Sequence, residues 1–198
     1  LYEQVEDIEF MVMGIGDLSY DRFPIQASQF ESDIRIAEQL EKVYFEFGGG
    51  GNSYESYTAA WYFGLHHTKL DCLNRNRKGI IITMGDEMLN PYLPLEGLRC
   101  SMKSITGDSL QADVETRDLY KETSEKFNLY HLNVEHGGYN YRQESIENSF
   151  KEYMDDKHFR NVNMNNIADA IVDIIVGEVE NNETNTNVMI STSGEIVW

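Results

Sequence analysis

Two segments of the chain carry side chains suited to binding a cation. Residues 48–55 (GGGGNSYE) form a glycine loop with an amide, hydroxyls and a carboxylate, and they lead into the apolar helix pattern of residues 59–63. Residues 79–84 (GIIITM) are an apolar run that ends in Gly85, Asp86 and Glu87. Carboxylate, amide and hydroxyl oxygens are the ligands of hard divalent cations. The pattern therefore predicts a cation site where a helix begins and a buried strand ends.

The periodicity of the sequence predicts the elements that would position these side chains. Apolar runs indicate buried strands at residues 8–16 and 80–84, and residues 128–134 (NLYHLNV) are interpreted as a third strand. Helical spacing of apolar residues indicates helices at residues 29–47, 53–67, 113–127, 148–158 and 167–179. Strands that alternate with helices predict an α/β fold with a doubly wound, mostly parallel sheet and helices on both faces. Asp17 and Asp86 would then both follow the carboxyl ends of strands.

Composition and charge narrow the function classes. The 198 residues carry a net charge of −18, and no basic patch offsets it, which argues against binding nucleic acid or an anionic membrane surface. No stretch is long and apolar enough to predict a membrane span, and the first residues do not resemble a signal peptide. With only two cysteines, we expect a cytoplasmic protein with reduced thiols. Because the chain does not begin with Met, we also expect a fragment or a processed product.

The length predicts one main domain, at residues 1–180, followed by a tail at residues 181–198. The tail begins with the polar residues 181–187 and ends with residues 188–198, which we expect to add an edge strand.

The order of these segments resembles a von Willebrand factor A (vWA) domain. Residues 10–17 (FMVMGIGD) resemble the second strand of that family and the loop after it. Residues 49–55 are similar to the glycine-rich loop of a bacterial branch of the family, and residues 80–87 resemble the strand that ends in its third metal-site motif. The resemblance extends from about residue 9 to residue 179, and its remaining parts are common to many α/β proteins.

The resemblance implies a metal-ion-dependent adhesion site, in which Mg²⁺ binds a carboxylate of a partner protein, alone or within a larger assembly. Carried over by position, Asp86 would be a ligand, Asn52, Ser53 and Glu55 would form the second motif, and Asp17 would lie at the rim. The first motif of the family, Asp-x-Ser-x-Ser, does not occur in this chain. Residues 188–196 (VMISTSGEI) resemble that strand superficially, which raises the hypothesis that the tail occupies the centre of the sheet.

Other motifs leave alternatives open. Residues 107–110 spell the Gly-Asp-Ser-Leu motif of one esterase family, and Asp155 and His158 have the spacing of its acid–base pair, so Ser109 could be a nucleophile. A metal-dependent phosphoesterase at the same edge of the sheet is a related alternative, and a purely structural domain is a third. His66 and His67 are next to each other on a helix and point to different faces, which argues against a zinc site.

Overall fold

The computed structural model describes residues 5, 8–46, 51–135, 142–183 and 194–196, with no side-chain description for 182–183 and 194–196. The α-helices are α1 (Arg35–Leu40), α2 (Tyr57–His67), α3 (Met102–Thr106), α4 (Thr116–Lys126), α5 (Gln143–Lys151) and α6 (Ile167–Glu183). The strands are β1 (Met13–Ile15), β2 (Ile25–Ala27), β3 (Tyr54–Glu55), β4 (Thr68–Leu70), β5 (Gly79–Gly85), β6 (Met88–Leu89), β7 (Tyr92–Leu93), β8 (Val114–Glu115), β9 (Phe127–Val134), β10 (Phe159–Val162) and β11 (Gly194–Ile196). A 3₁₀ helix spans Asp71–Arg75.

The largest described sheet is parallel and has the order β10-β9-β5. Gly79 pairs with Phe127 at the start of β5, and Phe159 at the start of β10 pairs with His131 of β9. The chain is therefore a mixed α/β protein with parallel strands. The predicted strands at residues 80–84 and 128–134 are confirmed, because they form β5 and β9 of this parallel sheet.

Side chains alternate along the strands and build a core on each face of this sheet. On one face, Leu129 and Phe159 belong to a cluster that includes Trp61 of α2 and Phe150 of α5. On the other face, Tyr130 and Leu132 pack with residues of α6, notably Ile174. The helices predicted around α2, α4 and α6 are confirmed, since each contributes buried residues to these cores.

A carboxylate fixes α6 to the sheet. Glu178 accepts hydrogen bonds from the Tyr130 hydroxyl and the Asn128 amide. The Lys157 ammonium lies 2.9 Å from the same carboxylate. These partners hold the pKa of Glu178 below its ordinary value even though its burial acts in the opposite direction. The helix is thereby tied to β9 and to the turn before β10.

The N-terminal part of the chain departs from the prediction. Only Met13–Ile15 of the predicted strand at residues 8–16 is regular strand, and it pairs antiparallel with β2. The predicted helix at residues 29–47 is reduced to Arg35–Leu40, and none of its residues is buried. Helical spacing alone gave too long a helix because most helical stability comes from packing an apolar face, which α1 lacks.

Two further regions differ from the sequence analysis. Helix α5 covers residues 143–151 rather than 148–158, because Asp155 accepts the backbone N–H groups of Lys157 and His158 in a turn that leads directly into β10. In the tail, β11 pairs antiparallel with β4 in a separate two-stranded sheet. The hypothesis that the tail occupies the centre of the main sheet is therefore wrong for Gly194–Ile196, and residues 184–193 lie outside the described residues.

Cys72 is buried and Cys100 is half-buried, and both are free thiols. None of the helices in the described part of the chain has the length and apolar character needed to cross a membrane.

Candidate functional site

Two connections bring the predicted site residues to one edge of the molecule. Strand β3 pairs parallel with β6, and this places Glu55 opposite Leu89, a few residues after the end of β5. The backbone N–H of Leu18 donates to the Ser56 hydroxyl over 3.0 Å, which holds the loop after β1 against the start of α2. We call the carboxylates gathered here the acidic edge: Asp17, Asp21, Glu55, Asp86 and Glu87.

Asp17 is 8% exposed and organises the loop after β1. One of its carboxylate oxygens accepts the Asn52 amide at 2.5 Å, and the other accepts the backbone N–H of Ser19 at 2.7 Å. Asp21 accepts the backbone N–H of Asp17 at 2.7 Å. Asn52, predicted as a ligand, is therefore a donor to Asp17, and its own carbonyl oxygen accepts the backbone N–H of Tyr54.

Glu55 has the most perturbed carboxyl group at this edge. Burial and, to a smaller extent, the neighbouring carboxylates of Asp17, Asp21 and Glu87 together raise its pKa from 4.5 to about 8. A hydrogen bond from the backbone N–H of Ser56 opposes these effects without cancelling them. Near neutral pH, Glu55 is therefore largely protonated, and a cation placed beside it would favour the ionised form.

Tyr57 lies directly below the acidic edge. Its hydroxyl approaches the backbone at Gly85 so closely that a side chain at position 85 would overlap it. Glu87 donates its backbone N–H to this hydroxyl, while burial and the nearby carboxylates of Glu55, Asp86 and Glu87 raise the Tyr57 pKa. The glycine that ends β5 is thus required by close packing, and Tyr57 links the helix to the acidic loop.

One cationic side chain reaches this edge from outside it. Arg142, just before α5, lies 3.3 Å from the carboxylate of Glu87. Burial raises the pKa of Glu87, and Arg142 partly opposes that rise.

The acidic edge does not form a closed metal cage. Within the described ranges, no group of three or more His, Cys, Asp or Glu side chains is arranged to hold a metal ion. Asp86 is exposed, and the described contact of Ser53 is made by its backbone carbonyl, which accepts the N–H of Met88. Residues 48–50 of the glycine loop lie outside the described residues. A Mg²⁺ ion commonly keeps several waters and uses only one or two protein carboxylates, so Asp17 and Glu55 could contribute to such a site, but the five predicted residues do not enclose one.

The alternative catalytic residues are not brought together. Ser109 is exposed, and the hydrogen bond described for it is accepted by its backbone carbonyl. Its neighbour Asp108 accepts the Tyr62 hydroxyl at 3.0 Å and lies 2.6 Å from the ring nitrogen of His67. His158 contacts Asp155 at 2.6 Å and packs on the ring of Tyr130. Among the described residues, no contact joins Ser109 to either histidine.

The predicted site residues did not include Asp21, Tyr57 or Glu87. Asp21 joins through a turn, in which its backbone N–H donates to the carbonyl of Asp17 at 2.8 Å. Glu87 directly follows the predicted ligand Asp86, so its place in the sequence was the available signal.

No protein-family model, no curated protein and no solved structure matches this chain. The site must therefore be interpreted from its own geometry.

Proposed function

We propose that this domain is a protein-interaction module that binds a positively charged group of a partner at the acidic edge. The observation that carries the proposal is the half-buried Glu55 carboxyl, whose pKa is raised to about 8 by burial and by the carboxylates of Asp17, Asp21 and Glu87. Carboxyl groups in such surroundings resist ionisation until a cation neutralises them. Perturbed titratable groups at a surface cleft are typical of functional sites.

Charge supports the same proposal. The positively charged side chain of Arg142 lies 3.3 Å from Glu87, and the described contacts of Asp17 are with Ser19, Asp21 and Asn52. The net charge of −18 would steer a basic partner toward the domain and speed its association. A lysine or arginine side chain of a partner protein is therefore the cation that we favour.

A second candidate is a Mg²⁺ ion that links the acidic edge to a carboxylate of the partner, as the resemblance to vWA domains implies. The convergence of Asp17, Asn52 and Glu55 favours it, because these residues are the ones expected at the rim and second motif. The doubly wound arrangement of a vWA domain and a cytoplasmic location remain part of this proposal. A small hydrolase is less favoured, because Ser109 lies apart from His158.

Thermal unfolding with matched probes tests the proposal. The probes are acetyl-Gly-Arg-Gly-amide, the same peptide with neutral citrulline in place of arginine, and MgCl₂, all at constant ionic strength. The variants are Glu55→Gln and, as a control with the same chemical substitution, Glu125→Gln, an exposed residue of α4. A ligand at ten times its Kd stabilises the folded state by about 1.4 kcal/mol.

We expect the arginine peptide to raise the melting temperature of the wild type and of Glu125→Gln but not of Glu55→Gln. Binding should be stronger at pH 8.5 than at pH 6, because Glu55 must lose its proton. An effect of MgCl₂ that Glu55→Gln abolishes would favour the metal-linked candidate instead. Equal responses to arginine and citrulline, with no response to MgCl₂, would refute cation recognition at this edge.

A further inference from the structure

Strand β5 has one edge that no described strand covers. Within the described residues it pairs only with β9. Its other edge borders a groove of about 1140 Å³, and every residue from Gly79 to Glu87 lines this groove. The strand itself reads Gly-Ile-Ile-Ile-Thr-Met-Gly. Long apolar strands with a free edge offer unpaired backbone groups to an additional strand, and proteins normally cover or charge such edges.

The opposite wall of the groove is also extended chain. Residues 8–13 line it. On its far side, Phe10 exchanges backbone hydrogen bonds with Glu31, and Val12 bonds Ser28. Because backbone groups alternate in direction along an extended strand, those of Met11 and Met13 point to the groove. The groove therefore lies between the edge of β5 and a segment that is held by backbone hydrogen bonds on its far side and leads into β1.

Helices close the groove above and below. Ala60 and Gly64 of α2 line one side, and Ile171 and Ile175 of α6 line the other. Gly64 packs directly against the side chain of Ile81, so α2 lies close to the sheet at this point. The edge of β5, the segment opposite it and two apolar helix faces resemble the surroundings of an interior strand in a parallel sheet.

The two ends of the groove differ in charge. Asp17 follows residues 8–15 and Asp86 follows β5, and both belong to the acidic edge, so the two walls run in the same direction. Glu55, Asp86 and Glu87 line the groove at this end. At the other end, Arg77 and Lys78 precede β5 and also line it. A strand that matches these charges carries a basic residue at the end that meets the carboxylates.

We propose that the groove binds a β-strand of a partner protein. The strand is as long as β5, which has seven residues, runs parallel to it, is apolar along both faces, and ends in Lys or Arg at the acidic edge. Main-chain hydrogen bonds to both walls would supply affinity, and the apolar side chains would supply specificity. Only the basic end rests on the proposed function; the strand itself follows from the groove.

Peptide binding to the full chain tests this inference. The probe is acetyl-TVIVITK-amide, and one control replaces its lysine with norleucine. A second control keeps every side chain but N-methylates alternate backbone amides, which removes the donors that a strand needs. All three are measured by fluorescence anisotropy, and hydrogen exchange of β5 is followed with and without the probe. These experiments need no variant of the protein.

We expect the probe to bind and to slow hydrogen exchange of the β5 amides that do not bond to β9 by about tenfold or more. N-methylation should abolish binding, and norleucine should weaken it by about tenfold, the size of a charge-assisted hydrogen bond. Binding unaffected by norleucine but abolished by N-methylation would support the groove and refute cation recognition. Binding that survives N-methylation, or no binding at all, would refute the strand.

The remaining outcomes concern other occupants. If the β5 amides that do not bond to β9 exchange slowly without peptide and the protein is a dimer by light scattering, a second copy fills the groove and the proposal is wrong. If the same amides are protected in a monomer, another segment of the chain itself fills the groove, and the proposal is again wrong.

Discussion

The two edges of β5 differ in how completely they are packed. On the side of β9, seven residue pairs join the strands from Gly79 to Gly85, and the nearby side chains of Leu129 and Leu132 are buried. On the other side, the same strand faces a groove of about 1140 Å³. Ile80, Ile81 and Ile82 are consequently only half-buried, although their sequence is that of an interior strand. The edge paired with β9 therefore stabilises the isolated domain, whereas the edge at the groove is available to a partner.

The largest expected effect comes from breaking the packed side. Leu129→Ala should lower the free energy of unfolding by about 2–5 kcal/mol, because it leaves a cavity in a close-packed core. Ile8→Ala, on the wall of the groove, should lower it by about 1 kcal/mol or less, since this side chain is already partly hydrated. Urea unfolding of both variants measures the contrast. Equal losses would mean that the groove side is as well packed as the β9 side.

A second prediction concerns His131, the buried histidine of β9. Its ring stacks on Phe150 with centroids 3.7 Å apart, and burial lowers its pKa from 6.5 to about 3. The folded state keeps His131 neutral while the unfolded state binds a proton below pH 6.5. Stability should therefore be lost as the pH falls from 6.5 toward 3, at up to about 1.4 kcal/mol per pH unit.

His131→Phe should remove this loss. The Thr83 hydroxyl, 2.9 Å from the His131 ring, would keep the carbonyl of Tyr130 as an acceptor. The measurement is urea unfolding of wild type and variant between pH 4 and pH 7. If the free energy of unfolding falls equally with pH in the two proteins, His131 is not the cause of the loss.

At the acidic edge, Glu55 should make the stability depend on pH in the opposite direction to His131, and by less per pH unit. Its folded-state pKa of about 8 lies above the ordinary value of 4.5, so between these values the folded state holds a proton that the unfolded state has released. Stability should fall as the pH rises through this window, by less than about 1.4 kcal/mol per pH unit because solvent screens the group in part. Glu55→Gln should flatten this part of the profile, and Glu125→Gln should leave it unchanged.

The smallest expected effect is that of Arg142→Gln. The pair with Glu87 is partly exposed, so its loss should change stability by about 1 kcal/mol or less. The more informative readout is the pKa of Glu87 by NMR, which should rise because Arg142 holds it down. An unchanged pKa would show that Arg142 does not contact Glu87 in solution.

The sequence predicted the elements in which the apolar residues of the pattern are the residues that pack in the core. Residues 80–84 and 128–134 alternate between two cores, and α2, α4 and α6 each have a buried face, so pattern and packing agree. The pattern failed where tertiary contacts decide. Residues 159–162 (FRNV) show no strand signal of their own, yet their pairing with β9 makes them β10. Residues 29–47 have helical spacing, but none of the residues of α1, Arg35–Leu40, is buried.

The site was predicted in part for similar reasons. Asp17, Asn52 and Glu55 could be placed near one another because the ends of parallel strands and the starts of helices meet at one edge. Their roles as metal ligands stay predictions. The turn that brings in Asp21 depends on local hydrogen bonds with Asp17, and the contact between Tyr57 and Gly85 depends on packing between distant parts of the chain; residue spacing encodes neither.

The attachment of α6 through Glu178 has a consequence for recognition kinetics. Tyr130 and Asn128 of β9 and Lys157 of the turn before β10 contact Glu178 and hold the helix on the sheet. The side of the groove formed by α6 is therefore in place before any partner arrives, and binding need not include the ordering of that helix. The association rate should then be limited by encounter with the partner rather than by rearrangement of α6.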